Sequence, residues 1–376
     1  MSTPSLLNMS IASMLLVLVF CAAQGQSRIL NDAFTVTFQK LFSETRGLLS
    51  TLNDDSSIAE KFEQWMAKYG RSYRSINERV NRFYIFKDNY EYIENFNNAE
   101  NKTYKLGINE FADLTHDEFL AIYANNENIP AISSPLKITS RYQSRRSLAA
   151  VPSSINWVEK GAVTPIKNQA SCGSCWIFSA VAATEGIVQI KTRELKSLSE
   201  QQVLDCNGVR NGCSGGWMTE AFNYIVQNEG IANDTIYPYQ GKSLTCNPTL
   251  ASEIAAQISS YEELPPNNET ALQEAVAQQP VSIVIDSTGD GFQFYKSGVY
   301  TGDCGTTTAH AVTAVGYGTS EDGIKYWLLK NSWGTTWGED GYMRIQRDVS
   351  DPRGLCGIAQ KSSYPVSEKQ NQAEDE

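Results

Sequence analysis

Histidine is nearly missing from this 376-residue chain, which has two, His116 and His310. A histidine-rich metal centre is therefore excluded, and any step that needs an imidazole base must use one of two positions. Long hydrophobic runs are missing too. The most apolar stretch, residues 11–20, is too short to cross a bilayer, which takes about 20 residues. There is no basic stripe: residues 1–150 carry 16 basic and 16 acidic groups, so the whole net charge of -11 falls on residues 151–376, with 15 and 26. An acidic body without a cationic face excludes nucleic acid and anionic membranes as partners. Internal repeats and low-complexity tracts are absent as well.

What is present fits a folded, exported protein. Hydrophobic residues make up 41% and aromatics 10%, ordinary values for a globular chain. The apolar run at 11–20 leads into Cys21-Ala-Ala-Gln-Gly25, whose small residues suit a signal-peptidase site between Ala23 and Gln26. The alternative for this run is a membrane anchor, which its length disfavours. Removing it leaves seven cysteines, Cys172, Cys175, Cys206, Cys213, Cys246, Cys304 and Cys356, all beyond residue 150. An odd number in an oxidising compartment implies three bridges and one free thiol. Sequons at Asn101, Asn233 and Asn268 make these candidate glycosylation sites in a secreted chain.

Along the chain, residues 58–73 and 76–97 have helical patterning. In the second stretch Glu78, Arg82, Phe86, Asn89, Ile93 and Asn97 recur at steps of three and four, which puts all six on one stripe. On periodicity alone that describes an amphipathic surface helix. Residues 107–113 alternate as a short strand would, and Thr115 with Glu118 forms a capping-box pattern. Residues 124–150 read as a loop containing Arg141, Arg145 and Arg146, an exposed linker open to processing proteases. Beyond Val151 the composition shifts. Helical segments are expected at 175–191, 199–205 and 217–229, then β-rich runs at 281–286, 310–317, 326–331 and 341–345. A helical half followed by a strand half predicts an α+β fold of two subdomains around a cleft.

The chemistry centres on Gln169-Ala-Ser-Cys-Gly-Ser-Cys-Trp-Ile-Phe-Ser179. A helix predicted to start at Ser174 or Cys175 would aim its dipole and unpaired N–H groups at the Cys175 sulfur, lowering the thiol pKa. Gln169 could donate to an oxygen held beside that sulfur. A thiol nucleophile needs a base, and His310 follows Cys175 by 135 residues, inside the window of roughly 130–150 for such pairs. His116 falls in a segment expected to be removed. Asn331, ahead of Trp333 and Trp337, is a candidate to orient the imidazole, though Asn-Ser-Trp also suits a plain turn. Cys172-Gly-Ser-Cys175 could instead be a redox dithiol or half of a zinc site, but no βαβ pattern and no matching ligand spacing accompany it.

Together these motifs resemble the papain-type cysteine endopeptidases in prepro form, closest in character to the plant enzymes, over roughly residues 58–366. The resemblance rests on Gln-x-x-Cys-Gly-Ser-Cys-Trp-x-Phe-Ser, His310-Ala-Val, Asn331-Ser-Trp-Gly and Gly341-Tyr-Met-Arg-Ile. The six-residue stripe, and Gly107, Asn109, Phe111 and Asp113, match the family's prosegment signatures. It implies a papain-like fold with a helical left subdomain, a β-barrel-like right subdomain and an α-helical inhibitory prodomain. The expected order is a signal peptide (1–25), a propeptide (26–150, core 58–120), a peptidase domain (151–366) and an acidic disordered tail (367–376). Cys175 is implied as nucleophile, His310 as general base and acid, Asn331 as orienter, and Gln169 with the Cys175 N–H as oxyanion hole. Trp333 covers the His–Asn pair. The implied bridges are Cys172–Cys213, Cys206–Cys246 and Cys304–Cys356. Gly215 and Gly216 should offer backbone to an extended peptide. The pocket for the second residue before the cut should be lined by Trp217, Met218, Val284, Thr308, Ala309 and Ala311, an apolar set, with Lys361 at its floor.

The chain departs from the commonest family pattern at Ala170, Ile177 and Ala309. Ala170 stands where glycine is usual, Ile177 overfills an alanine position in the helix, and Ala309 removes a polar neighbour of His310. The reading that results is a secreted or vacuolar cysteine endopeptidase made as a self-inhibited zymogen. Its partners are protein or peptide substrates, its own propeptide and cystatin-type inhibitors; it acts as a monomer and needs no metal or cofactor. The alternatives are a catalytically silent storage or binding relative and a peptide ligase on the same scaffold.

Overall fold

The computed structural model describes residues 56–124, 151–208 and 212–367. The signal segment, the linker and nearly all of the tail lie outside them. The chain divides after Tyr73 into two compact units. In the first, helix α1 (56–69) ends at Gly70, and the Phe62 ring stacks on Trp65 and on Tyr73.

The second unit begins with α2 (Ile76–Asn98), capped by the Ser75 hydroxyl. Then come β1 (Tyr104–Leu106) and α3 (His116–Tyr123), the latter with the anticipated Thr115–Glu118 capping box. The strand expected at 107–113 does not form. Asn109 replaces the ladder there: its side chain accepts from Phe111 N and donates to the Gln293 carbonyl, which bends the chain into a turn.

After β2 (Ile155–Asn156), the centre of the unit is α4 (Cys175–Thr192), buried on nearly every face, as a helix apolar all round must be. Helices α5 (Glu200–Cys206) and α6 (Met218–Gln227) pack beside it. A short ribbon of β3 (Ile231–Ala232) with β4 (Ile254–Ala256) and the one-turn α7 (Pro248–Ala251) complete this half. Then follow β5 (Ser260–Glu263), α8 (Glu269–Val276), β6 (Val281–Ile285), α9 (Asp290–Gln293) and β7 (Tyr295–Tyr300). The last strands are β8 (His310–Thr319), β9 (Lys325–Lys330), β10 (Tyr342–Gln346) and β11 (Ser362–Val366).

The main sheet runs β1-β7-β10-β9-β8-β6-β11-β5, with β2 pairing onto β8. The path is open at both ends, so the expected barrel-like half is a curved sheet without closure. β8 is a ten-residue strand buried almost throughout. Where β2 crosses it, Gly316 is required, since a Cβ there would lie 2.3 Å from the Ile155 carbonyl oxygen. Strands β6 and β8 place Ile285 opposite His310, and Val284 opposite Ala311.

Candidate active site

Three disulfides, Cys172–Cys213, Cys206–Cys246 and Cys304–Cys356, pair six cysteines and leave Cys175 as the free one among the described residues. The Cys172 bridge removes the redox and zinc readings of the Cys-x-x-Cys motif. It also pins the turn before α4 to the loop at Ser214, where Gly173 N donates to the Cys213 carbonyl. Cys175 thus opens a helix whose preceding loop cannot drift.

His310 starts β8 and Asn331 directly follows β9, so the sheet itself sets their separation. His310 Nε2 meets Asn331 Oδ1 at 2.8 Å. That oxygen also accepts from Ser332 N at 2.8 Å, so the contact is an Nε2–H donor on a carbonyl oxygen. The bond fixes the neutral tautomer with its lone pair on Nδ1, and Nδ1 is buried without a hydrogen-bond partner. Trp333 stacks on the imidazole with ring centroids 4.5 Å apart. Around Trp333 stand Phe111, Phe119, Tyr123, Phe292 and Trp337.

Gln169 is fully buried and fixed at both ends of its amide: Ser332 Oγ donates to Oε1 at 2.6 Å, and Nε2 donates to the Cys172 carbonyl at 2.9 Å. The second Nε2–H remains for an oxyanion. Tyr239 braces the same loop, donating to the Gln169 carbonyl and sharing a bond with Ser174 Oγ. Ser332 stands in the Asn-Ser-Trp-Gly motif without a role assigned to it, and Tyr239 carries no local sequence signal, because each acts on residues far away in the chain.

The substrate-side residues gather as well. Met218, Val284 and Ala311 share one buried cluster with Cys175 and Trp176, and Trp217 packs against it. Gly216 lies against the Trp176 ring, and a Cβ would sit 2.5 Å from it. Gly215 takes φ 89°. Ala309 is buried and Thr308 half-buried on the approach to His310. Lys361 is exposed, its Nζ 5.6 Å over the Trp217 ring, and its carbonyl accepts from Val284 N. His116 stands apart from this group, bonded to the Thr288 carbonyl. Asn101 and Asn268 are exposed, whereas Asn233 is half-buried with its amide oxygen held by Thr235.

Electrostatics correct one expectation. The helix N-terminus was expected to depress the Cys175 pKa, yet burial pushes the thiol up to about 11. The backbone N–H groups of Ala311, Trp176 and Cys175 oppose this without overcoming it. Burial likewise pulls His310 down to about 4, against the Asn331 bond. With these values both groups are neutral over the middle of the pH range, a thiol and an imidazole rather than a thiolate and an imidazolium. The cause is desolvation, which disfavours the charged form of each.

Residues 76–124 contribute to that burial through the aromatic group on Trp333. The six-residue stripe holds this segment in shape. Glu78 accepts from Arg74 N, Arg82 makes a two-pronged pair with Glu118, and Asn89 donates to the Ala112 and Leu114 carbonyls. Asn97 bonds both the N–H and the carbonyl of Leu106, while Phe86 and Ile93 are buried. Helix α2 exposes much of its length, with only Phe86 and Ile93 buried, but the stripe binds its own segment rather than only facing solvent.

Residues 151–366 match the papain family cysteine protease domain, and residues 62–119 match the cathepsin propeptide inhibitor domain. The senescence-specific cysteine protease SAG12 of Arabidopsis thaliana is 51% identical over 84% of this chain and 92% of its own length. A recombinant stem bromelain precursor superposes with TM-score 0.77 at 46% identity, over 83% of this chain and 99% of that one. The bromelain protease from Ananas comosus in complex with the E64 inhibitor is 50% identical over 58% of this chain and all of its own, with TM-score 0.56. A free cysteine opening a buried helix, a His–Asn pair under tryptophan, and these matches lead to one statement: the chain belongs to the papain family of cysteine proteases and carries its inhibitory propeptide.

Proposed function

We propose that Cys175 is the nucleophile of this protease, with His310 as its general base and acid. Asn331 orients the imidazole through Nε2, Trp333 shields that bond, and Gln169 with the Cys175 N–H receives the oxyanion. The observation that carries this reading is the His310–Asn331 bond, which leaves the buried Nδ1 as the imidazole atom free to exchange a proton with the thiol. Attack by sulfur on a peptide carbonyl gives a tetrahedral oxyanion. Its collapse expels the amine, which takes its proton from His310, and leaves an acyl-enzyme. Water, deprotonated by His310, then releases the acid.

Maturation follows from the buried pair. The depressed His310 pKa means that an opened site binds a proton more readily than the closed one. Closure is fully stabilised above the ordinary histidine value of about 6.5 and weakens as pH falls from there toward 4. The effect is on the order of 3 kcal/mol. Acid therefore releases the propeptide, and cleavage in the linker starts the mature enzyme near Val151. Once the site is solvated, thiol and imidazole exchange the proton to form the reactive ion pair.

An apolar second residue before the cut fits the set Trp217, Met218, Val284, Thr308, Ala309 and Ala311, and Lys361, expected at the floor of that pocket and exposed beside the Trp217 ring, disfavours basic side chains there. Lys361→Glu is expected to raise kcat/KM for peptides with Arg at that subsite by about tenfold, or 1.4 kcal/mol; an unchanged Arg/Leu preference refutes this role. The chain enters the secretory pathway through residues 1–25 and works as a monomer in a vacuole-like or extracellular space, glycosylated at Asn101, Asn233 and Asn268 and open to cystatin-type inhibitors once mature.

The test is acid incubation at about pH 4–5, labelling with the epoxide E64 and peptide mass mapping. The expected result is a label on Cys175 in a chain that begins near Val151. An unlabelled chain that stays full length would overturn the reading and favour a silent storage or binding relative.

A further inference from the structure

We infer that Lys330 is a positioning residue for the proteolytic reaction, acting through Asn331 from within a buried cluster of four charges. This rests on the roles proposed above for Asn331 and Gln169. The cluster comprises Lys167, Glu185, Glu200 and Lys330, two cations and two anions. Both carboxylates and Lys330 are withdrawn from solvent, and the Lys167 side chain is only 18% exposed.

Its connections reach every part of the site. Glu185 lies on α4, ten residues beyond Cys175. Its carboxylate accepts from Lys167 Nζ (2.9 Å), Leu198 N (2.9 Å) and Thr164 Oγ1 (2.6 Å). Lys167 also donates to Glu200 (2.7 Å) and to the Leu198 carbonyl (3.0 Å). Two residues later comes Gln169, whose N–H bonds the Ser332 carbonyl, and Gly334 N returns a bond to the Lys167 carbonyl. Lys330 Nζ donates to Thr164 Oγ1 at 2.8 Å and stands 4.0 Å from Glu185 Oε2. Its own peptide bond leads into Asn331. A small cavity is bordered by Lys167, Glu200, Lys330, Asn331 and Ser332, and the hydrogen bonds and ion pairs of the four charged side chains go to one another, to Thr164 and to Leu198 rather than to Cys175, His310 or the Gln169 amide.

Three segments thus end on one node: the helix of the nucleophile, the strand end of the orienting asparagine, and the loop of the oxyanion amide. Burying ions costs several kcal/mol each, and apolar replacements of such clusters are often as stable. Stability alone is therefore a poor reason to build one. Geometry is a better reason, because a misplacement of about 1 Å can cost a hundredfold in rate.

The experiment uses the full-length zymogen, activated by acid and titrated with E64, so that kcat refers to intact sites only. Lys330→Met removes the charge at nearly constant shape. It is expected to lower kcat per titrated site about tenfold with KM within about twofold, and to displace the acid limb of the kcat/KM profile. Lys330→Arg should recover most of the rate. An unchanged kcat per site and an unchanged profile, with only yield or melting temperature reduced, would show a merely structural role and overturn the inference. If Lys330→Met does not fold, Glu185→Gln, which keeps the acceptor for Leu198 N, is judged by the same two criteria. Asn331→Ala separates the two readings. If it leaves kcat intact, the role of Asn331 itself fails. If it lowers kcat while Lys330→Met does not, only the role of Lys330 fails.

Discussion

Residues 76–124 and 151–367 belong to one packed unit but are held by different means. The later stretch has three disulfides, a buried sheet and a helix enclosed on nearly all sides. The earlier one has no covalent brace. It keeps its shape through Arg82–Glu118 and the two asparagines, and meets the rest through separable contacts. They include the β1–β7 pairing, the bond from the Asn109 amide to the Gln293 carbonyl, the bond from the Gln293 amide to the Phe111 carbonyl, the His116 bond to the Thr288 carbonyl, and the aromatic group on Trp333. A segment that must leave is attached by bonds that can be broken one at a time. The part that matches the protease domain is cross-linked.

The comparison breaks most sharply at Phe111. This ring is 1% exposed and packs on Phe119, Tyr123 and Trp333. Phe111→Ala should weaken closure by about 3–5 kcal/mol, so that E64 labels Cys175 at neutral pH without acid treatment. Retained protection at neutral pH would show that the strand pairing alone closes the site. A smaller effect is expected at Glu118, whose carboxyl Arg82 holds below its usual range. A depressed carboxylate contributes stability above its ordinary pKa and loses it as pH falls, so this pair adds to the acid sensitivity of His310. Glu118→Gln should therefore move the midpoint of activation, followed by mass spectrometry against pH, upward by a fraction of a unit. A midpoint left in place would confine acid sensing to the catalytic histidine.

Much of this was legible before any coordinates. The Cys-x-x-Cys-Trp motif at a helix start pointed to Cys175, elimination among two histidines pointed to His310, and Asn331 stood out only as a third partner ahead of two tryptophans. The helices at 76–98 and 175–192 were visible, since burial of a face imposes periodicity. Strands β5, β7 and β11 were not, because each depends on distant partners. The thiol pKa was misjudged for the same reason: a helix terminus is a local feature, whereas desolvation comes from chain more than fifty residues away. The unusual residues also needed the structure. Ala170 takes φ 53°, a left-handed conformation that costs a non-glycine residue about 1–2 kcal/mol. Ile177 is fully buried in the core around α4, and Gly212 packs nearby, where a Cβ would lie 2.4 Å from Leu204 Cδ1 but in ordinary contact, 3.6 Å, with Ile177 Cδ1.

The pairing of β1 on β7 bears on how the mature enzyme behaves in a crowd. When β1 leaves, β7 becomes the rim of the sheet, with unpaired amides that invite another molecule's strand. Two residues discourage that recruitment. Lys296 is exposed on β7, so docking there would bury an ammonium. Gly298, at φ 93°, breaks the flat repeat a second strand would have to follow. The rim that accepts its own leader for a while is thereby a poor template for strangers.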